Sequence, residues 1–343
     1  MPSPKHIAIA SCTPQATRAG QCIAEHGGNA FDVALAVAFN LMVSNPLMCS
    51  LSGGGFATLK TSRSKPQVLN FFSSMPGKGL PPDRFGQNLK QISLPYGPGI
   101  DITYGHATIG VPGTGKGLHY LYEHYASLPL DELLAPSIAD ARQGVPLNKA
   151  LGYWISVSGE HLHWSTPYSQ SVLSMPDGSL PQVGQAITNP DLANTFEHLA
   201  RVGLEDLYTG ELAEQIARVV SDGAGLLTQD DLRNYQTTVQ TPLIHQADHY
   251  TLFTPPPPSM GGASIIYGLK ALKHLGITEL TPNTYAQLGQ IFHDMLTHRH
   301  DAFHEAEVRA NPTDLSCLSE HTLAQLSDST LQARYPGRSS SAN

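Results

Sequence analysis

Hydrophobic positions in the first part of the chain follow helical spacing. A helical pattern over 16–26 is followed by two glycines, and a second helix is predicted to begin at Asn29, whose side chain can cap it together with Asp32 three residues later. This second helix is apolar on nearly every side, so we expect it to be buried. Small residues at every fourth position from Ala30 predict a close neighbour on that face.

The pattern then changes to short strands separated by turns. Residues 56–59 and 67–72 flank a polar turn at 61–65, which predicts a hairpin. A strand over 102–109 is predicted to lead through a glycine-rich turn into a helix over 117–125. Other predicted helices cover 129–143, 189–201, 206–221, 229–235, 263–274 and 284–304, and a short strand covers 248–254. With no internal repeat, the pattern indicates one large chain of mixed helices and strands.

Composition narrows the class of protein. Of the 343 residues, 41% are hydrophobic and 14% are charged, well below the ~25% of an average domain, which favours a partly covered surface. The net charge of −8 and the lack of basic runs argue against nucleic-acid binding. The longest apolar run, 33–39, is far short of the ~18 residues of a membrane helix. The N-terminal apolar run is too short for a secretory signal. We therefore expect a soluble, cytoplasmic protein whose four cysteines are reduced thiols.

Two glycine-rich segments suggest phosphate or anion binding. The letters G-V-P-G-T-G-K-G at 110–117 nearly match the phosphate-binding loop, but Gly117 stands where a Mg²⁺-binding hydroxyl is needed. No apolar run ending in Asp supplies the second metal-holding carboxylate. A simple strand-to-helix turn is therefore favoured. The three glycines at 53–55 form either a nest of backbone amides or a place where side chains would not fit.

Histidines on one predicted helix form the best candidate metal cluster. Its members are His293, His298, His300 and His304, with Asp294 and Asp301. His300 and His304 share a face, but Asp301 occupies the position of the zincin Glu and nothing marks a third ligand. We therefore favour a polar helix surface and predict no metal and no cofactor. The chain also lacks a G-x-S-x-G elbow. Either this is a binding protein, or its catalytic groups are supplied elsewhere.

A family resemblance explains the missing chemistry. The letters G-G-N-A-F-D-V-A at 27–34 resemble the GGNAxDAA motif of gamma-glutamyltranspeptidases. The resemblance continues in chain order through S-G-G-G-F at 52–56, G-H-A at 105–107, G-V-P-G-T at 110–114, N-P-D-L-A at 189–193, G-L-L-T at 225–228 and P-P-P-P-S-M-G-G at 255–262. So many ordered matches, spread over about residues 5–312, are more specific than any single motif. The 110–114 turn is thereby reinterpreted as a packing turn.

The resemblance implies a fold and a partner. Members of the family are made as one precursor that cuts itself before a Thr, which becomes the N-terminal nucleophile of a smaller chain. The implied fold class is α+β, the four-layer αββα Ntn-hydrolase sandwich, with 1–343 as the large subunit of one domain shared with the small subunit. Cleavage would follow Asn343, and no catalytic residue would lie in this chain. The resemblance also allows a dimer of such heterodimers. An N-terminal Thr suits the chemistry because its own α-amine can accept the hydroxyl proton.

One departure from the family pattern affects the predicted substrate. The family segment D-F-R-E-T-A-P has an Arg that grips the substrate α-carboxylate, whereas this chain has N-F-F-S-S-M-P at 70–76, with Phe72 in place of the Arg. Losing a bidentate guanidinium–carboxylate pair in a closed site costs several kcal/mol of binding free energy. The resemblance therefore implies hydrolysis of a small amide such as oxamate, with Phe72, Ser73 and Ser74 lining the pocket.

Three alternatives stay open. Another cation, from Arg63, Lys78 or Arg84, would restore a true gamma-glutamyl transferase or hydrolase. The second alternative is an acylase of cephalosporin side chains, because such acylases share the scaffold of the gamma-glutamyltranspeptidase family. From a different class of function, the chain would be a non-catalytic binding protein whose precursor never matures.

Overall fold

The computed structural model describes residues 7–159, 166–274, 279 and 281–304. Its helices are α1 (Pro14–Glu25), α2 (Ala30–Ser44), α3 (Thr114–Tyr125), α4 (Leu130–Gln143), α5 (Lys149–Ser158), α6 (Pro167–Val172), α7 (Pro190–Val202), α8 (Asp206–Thr209), α9 (Glu211–Asp222), α10 (Gln229–Asn234), α11 (Met260–His274) and α12 (Pro282–His304). Its strands are β1 (Gly55–Leu59), β2 (Gln67–Phe71), β3 (Lys90–Leu94), β4 (Ile100–Tyr104), β5 (Val145–Pro146), β6 (Ala186–Ile187), β7 (Thr238–Gln240), β8 (Leu243–Gln246) and β9 (Thr251–Thr254). The predicted mixture of helices and strands is confirmed.

The first helix ends, and the second begins, where the sequence predicts, although the first begins at Pro14, two residues before its predicted start. Gly27 adopts a φ of 89° just after α1, a left-handed conformation that glycine allows at a helix end. Asn29 then caps α2, because its side chain accepts hydrogen bonds from the amides of Phe31 and Asp32. In return, the Asp32 carboxylate accepts a hydrogen bond from the backbone amide of Asn29 at 2.7 Å. The predicted capping box is therefore confirmed.

Two compact units make up the chain, and the first comprises residues 1–55 and 71–237. Within it, α2 packs against α1 and α4, and α4 packs against α7. The rings of Phe39 and Phe196, both fully buried, meet edge to face with centroids 5.9 Å apart. These helices form the core that supports the glycine-rich turns described below.

The close approach of α1 and α2 depends on a glycine. A Cβ atom on Gly20 would lie 2.7 Å from Val37 Cγ2 and 3.1 Å from Val33 Cγ1. The alanines that predicted a close neighbour do not supply it, since Ala30 and Ala34 are exposed. The close neighbour was therefore predicted on the wrong face of α2: α1 approaches at Val33 and Val37, and the missing side chain is on α1 rather than on α2.

Asp32 connects the start of α2 to the loop after α3. Besides the Asn29 amide, its fully buried carboxylate accepts hydrogen bonds from Ser127 N at 2.8 Å, Ser127 Oγ at 2.5 Å and Leu128 N at 3.3 Å. Burial raises the pKa of Asp32, but these hydrogen bonds outweigh burial and hold it below its usual value. Asp32 is therefore a structural residue in the described chain.

The second unit comprises residues 56–70 and the chain from 238 onward. Here β2 lies between β1 and β7, so the predicted hairpin is confirmed, and β2 runs antiparallel to β7 with Leu69 opposite Val239. Strands β8 and β9 form a second antiparallel pair. A small core joins β8, α11 and α12 through Leu243, Ala263, Ile266, Tyr267, Ala271 and Ile291. The single domain predicted for 1–343 stays a prediction.

Local hydrogen bonds account for the differences from the predicted elements. The helix predicted over 206–221 is two helices, because Gly210 is extended and the Asp206 carboxylate accepts the amides of Glu211 and Leu212 at 3.1 and 3.0 Å. The strand predicted over 102–109 ends at Tyr104, after which Gly105 (φ 113°) leads into a 3-10 turn. Strand β3, which pairs with β4, was not predicted.

Two predictions, the absence of a membrane-spanning helix and the reduced state of the cysteines, can be compared with the described residues. None of the helices in the described ranges combines the length and the hydropathy needed to span a bilayer. The described cysteines, Cys12, Cys22 and Cys49, are free thiols. Cys317 lies outside the described residues.

Candidate substrate-binding site

The predicted pocket residues lie together where β2 ends. Phe71 is the last residue of β2 and is buried, whereas the next residues, Phe72, Ser73 and Ser74, are exposed. Phe72 is 51% exposed, and Met75 is 73% exposed. Segment 72–75 is therefore a surface segment whose role in binding stays a prediction.

A glycine turn packs against this segment. A Cβ atom on Gly54 would lie 2.5 Å from Ser73 N and 3.0 Å from the carbonyl carbon of Phe72. One on Gly55 would lie 2.9 Å from the Phe71 ring. Gly54 and Gly55 are needed because the backbone of Phe72 and Ser73 and the ring of Phe71 occupy the space of their side chains, which favours packing over an anion nest.

The 110–117 turn is also a packing turn. The amides of Gly113 and Thr114 donate to the Gly53 carbonyl at 2.8 and 3.0 Å. The Lys116 ammonium pairs with Glu205 at 2.5 Å and lies 4.9 Å from the centre of the Tyr208 ring. These amides and this ammonium are groups that a bound phosphate would need. The structure therefore supports the packing role that the resemblance implies.

Gly113 is the most tightly enclosed position of this turn. A Cβ atom there would overlap the Phe71 carbonyl oxygen and lie 2.5 Å from Tyr235 Oη. We expect Gly113→Ala to lower the free energy of unfolding by about 3 kcal/mol or more, because backbone atoms cannot move aside as a side chain can.

Denaturant unfolding measures this effect, with Gly268→Ala as the matched control. Gly268 lies inside α11, and nothing lies within 4 Å of an added Cβ. The control should be neutral or slightly stabilising, since alanine favours helix. Equal effects of the two substitutions would contradict the packing role of Gly113.

Hydrogen bonds hold the backbone of segment 72–75 while its side chains face outward. Ser74 and Val111 exchange two backbone hydrogen bonds, of 3.3 and 2.9 Å. Tyr235 Oη donates to the Phe72 carbonyl at 2.8 Å. The segment thus presents an aromatic ring and two hydroxyl groups on a fixed backbone, with no charged side chain among its four residues. Such a surface offers no charged partner to a substrate carboxylate.

The alternative cations have different surroundings. Arg84 and Arg218 line a cleft of about 540 Å³, which among the described residues is formed by 80–84 and 214–229 rather than by segment 72–75. Lys78 is exposed, three residues beyond Met75. Arg63 belongs to the other compact unit. A role for any of these residues as a substrate anchor stays an alternative for experiment.

The histidine cluster falls mostly outside what the structure describes. His293 is exposed on α12, and the side chains of His298, His300 and His304 lie outside the described residues. Within the described part of the chain, no three His, Cys, Asp or Glu side chains are grouped so as to hold a metal ion.

The motif order along the chain matches a known family. Residues 16–336 match the family model described as Gamma-glutamyltranspeptidase, which is most of the chain. The chain belongs to the gamma-glutamyltranspeptidase family. The resemblance carried by the glycine-rich motifs is thereby confirmed.

Curated members of the gamma-glutamyltranspeptidase family differ in their named activities. The chain is 32% identical over 272 residues to the glutathione hydrolase proenzyme of Bacillus subtilis (strain 168), which covers 79% of this chain and 45% of that protein. It is 29% identical over 272 residues to the acylase ACY 1 proenzyme of Pseudomonas sp. (strain SE83), and the matched residues cover 78% of this chain and 48% of that protein. The chain thus spans about half the length of these relatives.

A solved structure of the family supports the predicted fold. The gamma-glutamyltranspeptidase from Pseudomonas nitroreducens complexed with L-DON matches with a TM-score of 0.77 and 25% identity, covering 94% of this chain and 93% of that chain. This likeness confirms the predicted α+β class, the αββα Ntn-hydrolase sandwich.

Proposed function

We propose that this chain is the large subunit of an autoprocessed amidohydrolase that hydrolyses a small amide, such as oxamate, through the N-terminal Thr of a partner chain. Two observations support a divided protein. The curated relatives are named proenzymes, and the chain spans about half their length. The partner would be the small subunit released from the same precursor by cleavage before its N-terminal Thr.

The observation that carries the substrate proposal is the exposed Phe72 side chain at the end of β2. The family segment that resembles residues 70–76 has an Arg there, and a guanidinium binds a carboxylate through two parallel hydrogen bonds. A phenyl ring offers no such bond, so a substrate carboxylate buried against it would lose its water without compensation. Ser73 and Ser74 offer only neutral hydroxyl groups. Segment 72–75 therefore disfavours a gamma-glutamyl group anchored through its α-carboxylate at position 72. The oxamate carboxylate is directly bonded to the reacting carbonyl carbon, so in this proposal groups other than segment 72–75 would bind it.

The chemistry proceeds by acyl transfer to the partner's Thr. The Thr hydroxyl oxygen attacks the amide carbonyl, and its proton passes to the Thr α-amine. The carbon–nitrogen bond then breaks, the leaving ammonia takes up that proton, and an ester remains. Water hydrolyses the ester, releasing the acid and restoring the hydroxyl. In this scheme the present chain binds and orients the acyl group and supplies no reacting atom.

A gamma-glutamyl hydrolase is the second candidate. The Bacillus subtilis relative named glutathione hydrolase is 32% identical to this chain, which favours glutathione-like substrates. Such a substrate would need a replacement cation for its α-carboxylate, and Arg63, Lys78 and Arg84 are the candidates.

Steady-state kinetics on the matured two-chain protein test the proposal. Ammonia release from oxamate is compared with release of the leaving amine from gamma-glutamyl amides. We expect kcat/KM for the small amide to exceed that for the gamma-glutamyl amides by about tenfold or more, because the α-carboxylate of the gamma-glutamyl group is left without a guanidinium partner at position 72. Efficient turnover of gamma-glutamyl amides would instead support the second candidate. A precursor that stays uncut and turns over no amide would support a non-catalytic binding chain.

A further inference from the structure

Helix α10 and the residues flanking it contact both ends of the chain segment that carries Phe72. At one end, Tyr235 Oη donates to the Phe72 carbonyl at 2.8 Å. At the other end, the Asp231 carboxylate accepts the amides of Gly77 at 2.8 Å and Lys78 at 3.2 Å. The residues between these two attachment points include Ser73 and Ser74.

Asp231 forms more contacts than a helix cap requires. As the third residue of α10 it completes a capping box with Thr228, whose amide and hydroxyl both donate to Oδ2 at 3.0 and 2.8 Å. The bonds from Gly77 and Lys78 come from a loop more than 150 residues earlier in the chain. Burial raises the pKa of Asp231, but the hydrogen bonds from Gly77, Thr228 and Lys78 outweigh burial and hold it below its usual value. The carboxylate is therefore charged at neutral pH and binds the loop with charge-assisted hydrogen bonds.

Tyr235 is fixed by its own surroundings. Its ring is buried and stacks on Tyr208 with the centroids 6.0 Å apart. Burial raises the pKa of Tyr235 to about 12, so the hydroxyl stays protonated and donates a hydrogen bond to the Phe72 carbonyl. Tyr208 Oη in turn donates to the Pro112 carbonyl at 3.0 Å and accepts the Lys116 amide at 2.8 Å. The two tyrosines thus hold segment 72–75 and the 110–117 turn in one arrangement.

We propose that Asp231 and Tyr235 are positioning residues that fix segment 72–78 so that the exposed side chains of Phe72, Ser73 and Ser74 meet the acyl group in one geometry. This inference rests on the proposed function, since it gives segment 72–75 the role of binding substrate. Neither residue takes part in bond making. Loss of their hydrogen bonds would weaken substrate binding, because segment 72–78 would shift. A displacement of about 1 Å at a binding group can change a rate by up to about 10²-fold.

Asp231→Asn and Tyr235→Phe in the matured two-chain protein test the proposal, with Asp32→Asn as the matched control. Asp32 is also a buried capping-box carboxylate that accepts four hydrogen bonds, but it binds the loop at 127–128. In both Asn variants one carboxylate oxygen becomes an amide nitrogen that faces an N–H donor. The two substitutions should therefore lower stability by similar amounts.

The expected result separates positioning from stability. Asp231→Asn and Tyr235→Phe should raise KM for the small amide about tenfold with kcat changed by less than about twofold, whereas Asp32→Asn should leave both constants near wild type. Hydrogen exchange should become faster in peptides covering 72–78 for Asp231→Asn, and in peptides covering 127–128 for Asp32→Asn. Tyr235→Phe keeps the ring packing, so it remains informative if Asp231→Asn does not fold.

Each contrary outcome has a distinct meaning. Equal changes of KM in the Asp231 and Asp32 variants, or an unchanged KM in both the Asp231 and Tyr235 variants, would overturn the positioning role while leaving the proposed function intact. Absence of amide turnover by the wild-type protein would overturn the proposed function itself, together with the inference that rests on it.

Discussion

Replacing Phe72 by Arg is expected to raise kcat/KM for gamma-glutamyl amides by about 10- to 100-fold. Charge-assisted hydrogen bonds to a carboxylate contribute about 1.5–3 kcal/mol each, and about 1.4 kcal/mol corresponds to a tenfold change. Phe72 is half exposed, and its backbone is held by Tyr235, so a longer side chain fits without moving the segment. The same substitution should lower turnover of the small amide, because the apolar surface is lost. Steady-state kinetics on both substrates measure these changes.

Two further variants show whether the gain comes from the guanidinium at this position. Phe72→Lys adds a charge without the planar pair of donors, so we expect a smaller gain than for Arg. Met75→Arg adds the same guanidinium three residues along the segment and should leave the substrate preference unchanged. If Phe72→Arg leaves gamma-glutamyl turnover unchanged and the wild-type protein already uses these substrates well, the specificity account is wrong and the anchor lies elsewhere.

The second large effect is a complete loss of activity when residues 1–343 are produced without the partner chain. In the proposed mechanism the nucleophile, its base and the acyl ester all belong to the partner's N-terminal Thr, so this chain alone has no group that forms the ester. It should also expose apolar side chains that the partner would cover, among them Phe72 and Met75. Ammonia release from the small amide in the presence of this chain should not exceed the rate measured in buffer without protein.

The control for this experiment is the matured two-chain protein at the same concentration. It should be active and should bind less of a dye that reports exposed apolar surface. Amidase activity from the separately produced chain, after its purity has been checked by mass spectrometry, would contradict the assignment of the nucleophile to the partner.

Local signals in the sequence were sufficient for much of the fold. Asn29 and Asp32 stand three residues apart before an apolar run, and the structure shows the capping box that this spacing predicts. The start predicted for α10 is confirmed in the same way, by Thr228 and Asp231. Such contacts join neighbours in the chain, so the sequence contains both partners and their spacing.

Contacts between distant residues were outside the reach of such signals. Nothing near Tyr235 in the sequence indicates that its hydroxyl binds the Phe72 carbonyl, because the partner is a backbone atom more than 160 residues away. The role of Asp231 at Gly77 was missed for the same reason, and a helix start was a sufficient local explanation. Gly113 was first compared with a phosphate-binding loop, since a glycine required by a neighbouring backbone has the same letter as one required by a ligand.

Intact-mass spectrometry of the full-length precursor after expression tests the central claim most directly. The account predicts two chains, one that contains the sequence of this chain and a smaller one whose N-terminal residue is Thr. Replacing that Thr by Ala should leave the precursor uncut. A single uncut chain from the unmodified precursor, or a small chain that begins with a residue other than Thr, would contradict the assignment of this chain as the large subunit of an autoprocessed hydrolase.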